Sequence, residues 1–221
     1  SWSYCSGSEH ASLFTAVTQK ENSLSAFILP KGQARIIRDW KAIGLPLTCS
    51  HSITAENAVV PEDHFFDLGK SPRSSAYPLS SYPFLLFALV SFVPVVLGIT
   101  RACWLETARL LEVKQAVLKK FQPGRYAFME KRIMEHSIVL SDLRSKFYQL
   151  VEQSWTAHTE GHSVLEKEVT ESGLFLAEYC YTTTAAILPK LGMEVLDKEH
   201  PLQLLWQDLQ TAYQHMVFHQ Y

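Results

Sequence analysis

Between Arg73 and Arg101 the chain runs 27 residues without a formal charge, and the stretch includes Phe84-Leu-Leu-Phe-Ala-Leu-Val90. About 20 apolar residues suffice to cross a bilayer, so any fold must either bury this segment or give it to a membrane. Three features favour burial. Pro94 and Gly98 should interrupt a spanning helix, the helical pattern continues past Arg101 through Trp104, Ala108, Leu111 and Val113, and no basic cluster marks a cytoplasmic flank. A helix that is hydrophobic all round can be the central element of a bundle or an oligomer. One small core cannot cover so much apolar surface, so a homo-oligomer is expected, with Leu89 as an interface position.

The remaining composition is that of a globular chain. Hydrophobic residues make up 47% and charged residues 19%, with 20 basic against 22 acidic side chains. A formal net charge of -2 gives no basic face for nucleic acid, which is therefore not expected as a partner. Cys5, Cys49, Cys103 and Cys180 stand far apart without a Cys-x-x-Cys, which excludes a zinc ribbon and a dense disulfide scaffold and suits a cytoplasmic protein. The start, Ser1-Trp2-Ser3-Tyr4, is no signal peptide and reads as a chain entered midway.

Two textures divide the sequence. Segments 13–18, 24–29, 34–40 and 52–60 are short and rich in β-branched and aromatic residues, with turn residues at 20–23, 30–32 and 44–46, which predicts a β unit of four to six strands. Pro61-Glu62-Asp63 is expected to close it, and the proline- and serine-rich stretch 69–83 reads as a linker. Beyond it the period becomes helical. Tyr126, Met129, Ile133, His136, Leu140, Leu143, Phe147 and Leu150 alternate by three and four, the seam of a long bundle helix. Ser163 and Glu166 suggest a capping box for the next helix, burying Leu165, Val169, Leu176, Cys180 and Ile187 and ending at Gly192. Pro201 suits the first turn of a last helix carrying Leu202, Leu205, Leu209 and Met216. The fold class expected is α+β: a partial β-barrel or β-sandwich domain over 1–73, then an up-down four-helix bundle over 74–221.

Three segments carry a resemblance: Trp2-Ser-Tyr-Cys-Ser-Gly-Ser-Glu-His-Ala11, then Trp40-Lys-Ala-Ile-Gly-Leu-Pro-Leu-Thr-Cys-Ser-His-Ser52 with Val59-Val-Pro61, then Pro201-Leu-Gln-Leu-Leu-Trp-Gln-Asp-Leu-Gln-Thr-Ala-Tyr-Gln-His215. In this order they resemble the acyl-CoA dehydrogenase superfamily, in the form of its flavin-dependent aromatic monooxygenase branch. The resemblance covers essentially the whole chain and implies the middle β domain and the C-terminal bundle of that superfamily. An amino-terminal helical domain would precede it, and further residues would follow Tyr221.

What the resemblance implies about function follows residue by residue. Cys5 and Ser6 would meet the flavin edge, with Trp2 and Tyr4 packing nearby and Ser50 of the second segment as a further cofactor contact. His215, nine residues after Trp206, would be the catalytic acid or base, with Ser6 assisting. The cofactor would be FAD or FMN, supplied reduced by a partner flavin reductase, and the substrate a small organic, aromatic molecule. The superfamily's bundles pack as a tetramer or dimer of dimers. The His215/His219 and His158/His162 pairs lack the glutamate of a zincin helix, so no metal is expected. A true acyl-CoA dehydrogenase is the first alternative. The superfamily's Tyr-Glu-Gly-Thr-like stretch is absent, leaving Glu194 or Asp197 as its base. A degenerate, non-catalytic assembly module is the second, because Leu204 and Gln207 stand where the superfamily has arginines, Pro46 replaces the arginine of Gly-Leu-Arg, and Cys49 replaces a glycine.

Overall fold

The computed structural model describes residues 1–20, 23–67 and 77–219, and the chain divides into two compact units, Ser1–Ser81 and Tyr82–Tyr221. Glu21 and Asn22 of the first expected turn, and residues 69–76 of the expected linker, lie outside the described residues.

Among the described residues, the first unit holds six strands in two antiparallel three-stranded sheets. Strands β1 (Trp2–Cys5), β5 (His51–Thr54) and β4 (Arg35–Ile37) form one sheet with β5 central. Strands β2 (Leu13–Lys20), β3 (Ser23–Pro30) and β6 (Phe65–Asp67) form the other with β3 central. The alternation of a half-buried strand is plain in β2, where Phe14 and Ala16 are buried while Leu13, Thr15 and Val17 face out. Pairing sets Phe14 opposite Leu29 and Ala16 opposite Phe27, and these four close on the fully buried Ile53 of the other sheet. The chain does not close at Pro61-Glu62-Asp63. Residues Glu62–His64 make one 3-10 turn that delivers β6 against β3, pairing Phe65 with Phe27 and stacking their rings 5.5 Å apart.

The second unit is helical: α1 (Phe84–Val113), α2 (Gln115–Phe121), α3 (Pro123–Thr159), α4 (Glu166–Ile187) and α5 (Pro201–Tyr213). The short α2 is an addition to the four long helices expected. The uncharged segment became α1, which runs through Pro94 and Gly98 without interruption. It buries one face, from Leu86 through Leu89, Val93, Val96, Thr100, Trp104 and Leu111, against α3, α4 and α5. Leu89 is 2% exposed and belongs to this inner face, so it is not an interface position. The seam of α3 is buried or half-buried at all eight positions read from its period.

Gly173 is the point of closest approach. A Cβ there would stand 3.1 Å from Leu89 and Phe147 and 3.3 Å from Val93, so only glycine lets α4 lie this close to α1 and α3. The start and end of α4 differ from expectation. Its N-cap is Leu165 in place of Ser163, with no side-chain cap of its own, and the Leu165 N–H donates to Ser154 Oγ of α3 at 3.2 Å. The helix ends at Ile187 ahead of Pro189, and Gly192, at φ 108°, opens the next turn. Pro201 opens α5 with His200 as N-cap, whose Nδ1 accepts from Leu202 N. Met216 lies beyond α5 and is exposed.

His136 of α3 lies inside the bundle at 4% exposure, stacked 3.8 Å from Trp104 and 5.4 Å from Tyr179. Neither ring nitrogen has a hydrogen-bond partner among the described residues. Burial, with a smaller contribution from Arg132, lowers its pKa from 6.5 to about 4. The folded chain thus keeps the ring neutral where the unfolded chain would take up a proton. Stability contributed by the neutral ring is full above pH 6.5 and falls as the pH drops toward about 4. Urea titrations across this window should show that decline in the wild type and a flatter profile in His136→Phe.

Candidate flavin-binding site

In the first unit, the loop that resembles the superfamily's flavin-facing segment is bolted to the second resembling segment. Gly7 N donates to Thr48 O at 2.6 Å, and Ser8 Oγ, fully buried, donates to Cys49 O at 2.6 Å. Ser6 and Ser50 share a 2.8 Å hydroxyl contact, and Ser50 shares another of 2.8 Å with Thr48. Thr48 Oγ1 in turn donates to Leu45 O at 2.8 Å. Thr48 is the member of this group that sequence reasoning passed over. Its signal was the short spacing to Ser50, which puts two hydroxyls on one tight turn.

The backbone is forced here. The pairing of β1 with β5 shifts between Trp2 and Cys5, a bulge at which Tyr4 takes φ 60°. Leu45 and Cys49 flank the 3-10 turn Pro46–Thr48 at φ 52° and φ 44°, and Gly7 sits at φ 76°. Three side-chain-bearing residues in the left-handed region within one loop pair mark strain of the kind held at functional sites.

The residues expected at the flavin divide by environment. Ser6 is exposed at the rim, whereas Ser50 is 6% exposed and touches Ser6 and Thr48 rather than solvent. Tyr4 is 78% exposed and its ring meets Trp40 edge-on at 6.3 Å. Trp2 is tied into the β unit, its indole N–H donating to Val17 O at 2.7 Å and its ring packed edge-on against Phe27. Cys5 is half-buried with a free thiol, and burial, then the charge of Asp39, pushes its pKa up. It is therefore no thiolate nucleophile at neutral pH. All four cysteines are free.

His215 lies in the second unit, just past α5, as N-cap of the 3-10 turn Met216–Phe218. Its ring stacks on Phe92 at 3.7 Å and 20°, and its Nδ1 accepts from Val217 N at 3.3 Å. Burial lowers its pKa. A neutral imidazole whose Nδ1 accepts carries its proton on Nε2, so His215 presents an N–H donor. His219 turns away to Tyr213 O at 2.9 Å, and no group of metal-holding side chains occurs among the described residues. Glu194 forms an ion pair with Lys114, and Asp197 accepts from Glu199 N. Leu204 is exposed and Gln207 half-buried, and neither offers a charge to a phosphate.

The geometry matches known proteins along the chain. Indole-3-acetate monooxygenase of Pseudomonas putida is 27% identical over 97% of this chain and 57% of its own length. The 3-HSA hydroxylase from Rhodococcus sp. RHA1 superposes with a TM-score of 0.86 at 17% identity, over 98% of this chain and 60% of that one. XiaF from Streptomyces sp., in complex with FADH2 and glycerol, gives 0.77 at 17% identity over 98% and 59%. Butyryl-CoA dehydrogenase from Megasphaera elsdenii gives 0.66 at 16% identity over 96% and 54%. The chain has the acyl-CoA dehydrogenase fold. No protein-family profile matches the sequence. The chain spans less than two thirds of the length of each of these relatives.

The fold explains why Cys49 is tight: φ 44° suits the glycine of the superfamily's Thr-Gly-Ser stretch better than a residue with a Cβ. Cys49→Gly is expected to raise stability by about 1 kcal/mol through relief of that conformation. Chemical denaturation midpoints measure it, and an unchanged or lower midpoint would contradict it.

Proposed function

We propose that this chain is the flavin-holding middle and C-terminal part of a flavin-dependent oxidoreductase, of the monooxygenase type, acting on a small aromatic or other organic molecule. The observation that carries this reading is the Ser6 to Ser50 contact, which joins the loop that resembles the superfamily's flavin-facing segment to the second resembling segment, 44 residues on, as one polar rim. The residues present fit one edge of a flavin: an exposed hydroxyl at Ser6, main-chain groups of a strained loop, and open space over Gly7, where a Cβ would meet nothing within 4 Å. XiaF holds FADH2 on the same fold, which supports FAD or FMN arriving reduced from a partner reductase. Bound there, the flavin would supply the electrons that activate oxygen for insertion into the substrate.

The chain's own groups bind and orient. Ser6 would meet the flavin edge, backed by Ser50 and Thr48, while Cys5 packs as a neutral thiol. His215 would hold a proton at Nε2 toward a substrate or oxygen atom, its ring kept in place by Phe92 and Val217 N–H. This assigns it the acid side of acid–base work at neutral pH. A second reading, desaturation of an acyl thioester, draws on the likeness to butyryl-CoA dehydrogenase, yet Glu194 is already paired with Lys114. Reduction of bound flavin by an acyl-CoA without oxygen would favour that reading over the first. The loss of arginines at 204 and 207 favours a non-catalytic module only if the full protein ignores flavin altogether.

We further propose a cytoplasmic homo-oligomer, a tetramer or dimer of dimers, without membrane or nucleic-acid partners. Helix α1 is long and apolar enough to cross a membrane, and a third of its most apolar window is buried within the chain. Phe84, Leu85, Phe87 and Leu105 remain exposed on it, and a second copy would cover them.

Two outcomes follow. His215→Ala in the full-length protein should bind flavin normally and lose turnover by about 100-fold, whereas full turnover would remove His215 from the reaction. Leu105→Glu should lower the oligomer mass seen by light scattering without unfolding the chain, because Leu105 is 68% exposed.

A further inference from the structure

A stack of aromatic rings links α4 and α5 to the turn that carries His215. Trp206 and Tyr213 stand two helical turns apart on one face of α5, about 10 Å of helix rise. Tyr181 of α4 fills the gap between them. Its ring stacks on Tyr213 at 4.6 Å and 13°, and on Trp206 at 5.4 Å and 28°. Tyr213 in turn organises the residues that follow: its ring stacks on Phe218 at 5.7 Å and meets His219 edge-on at 5.3 Å, and its carbonyl accepts from His219 Nε2 at 2.9 Å. Phe218 N donates to His215 O at 3.0 Å, and His215 N donates to Ala212 O at 3.2 Å. Val217 and Phe218 are buried, and the turn packs on α1, where Phe92 lies against the His215 ring at 3.7 Å. His215 is thus held by α1 directly and by α4 through Tyr181.

We propose that Tyr181 is a positioning residue for His215: its ring, held between Trp206 and Tyr213, fixes the end of α5 and with it the angle at which His215 presents its Nε2 proton. The inference rests on the acid role proposed for His215 above and deepens it. Helix ends fray, and α5 ends at Tyr213, two residues before His215. A group that must aim a proton from such a place needs a clamp on the last turn. An aliphatic side chain from α4 could fill the volume, but only a flat ring can lie parallel to both aromatic neighbours and set their angle. The same clamp keeps the imidazole half-buried, and burial is the cause of its lowered pKa. The other titratable side chains of this assembly are Tyr181, Tyr213 and His219, and α1 contributes the uncharged Phe92. Loosening the turn admits water to the ring and moves its pKa back up toward 6.5.

Tyr181→Leu and Tyr181→Phe are compared in the full-length protein, with Tyr179→Leu as a control that disturbs α4 at a ring stacked on His136 instead. Exchange of the imidazole carbon proton for deuterium, resolved at His215 by mass spectrometry across a pH series, reads its titration without any cofactor. In Tyr181→Leu the His215 midpoint should rise toward 6.5, and kcat should fall about 10-fold with KM and flavin affinity unchanged. Tyr181→Phe keeps the ring and should match wild type in both. Where Tyr181→Leu does not fold, Trp206→Leu removes the outer ring of the stack and should move the midpoint in the same direction. An unchanged His215 midpoint in folded Tyr181→Leu, or an equal shift in Tyr179→Leu or Tyr181→Phe, overturns the clamp whatever the flavin does. A midpoint shifted by Tyr181→Leu alone, in a protein that ignores flavin or keeps full turnover in His215→Ala, supports the clamp and overturns the acid role.

Discussion

Covering the apolar surface of α1 is the constraint around which the helical unit is arranged. A 30-residue helix without charge in its first half has to meet protein on several sides. Helices α3, α4 and α5 each supply part of that cover. The fit is tightest where Gly173 lets α4 come within ordinary contact of Leu89, Val93 and Phe147. Phe147 and Val93 are both fully buried there, so the removal of one side chain from α4 seals the interior of two other helices. The start of α4 obeys the same logic, since Ser154 of α3 accepts from the N–H of its N-cap residue, Leu165. The helix start is set by tertiary contact rather than by its own sequence.

In the β unit the corresponding constraint is the bolting of residues 6–8 to residues 45–50. One main-chain hydrogen bond, Gly7 N to Thr48 O, and one from the Ser8 hydroxyl to Cys49 O, both of 2.6 Å, hold two turns whose backbones stand in sparsely populated conformations. Strain of this kind persists only when the surroundings over-determine it. The buried Ser8, the Leu45 carbonyl with its three donors and the bulge in β1 provide that determination.

Periodicity made the bundle legible. The eight-residue seam of α3 and the proline at the head of α5 were readable because their causes are local: a 3.6-residue repeat and a fixed φ. Strand β6 was not, because it is three residues long and exists only through its pairing with β3. Leu89 was misplaced for a related reason, since a helix apolar on all sides gives no sign of which face its neighbours take. At the rim, motif resemblance identified Ser6 and Ser50. The part played by Thr48 became visible only in the fold, where its hydroxyl stands 2.8 Å from both Leu45 O and Ser50 Oγ. Such a network is a property of the assembled loops and has no signature in residue order.

The groups singled out in both units are alike in being neutral. Burial raises the pKa of Cys5, it lowers that of His215, and the rim presents the uncharged hydroxyl of Ser6. Where the superfamily places arginines, this chain has Leu204 and Gln207. A thiolate, a free carboxylate base and an arginine fork are each missing from these positions, so on the proposed reading they would contribute orientation and a proton held at His215 Nε2, with the electrons coming from a bound cofactor.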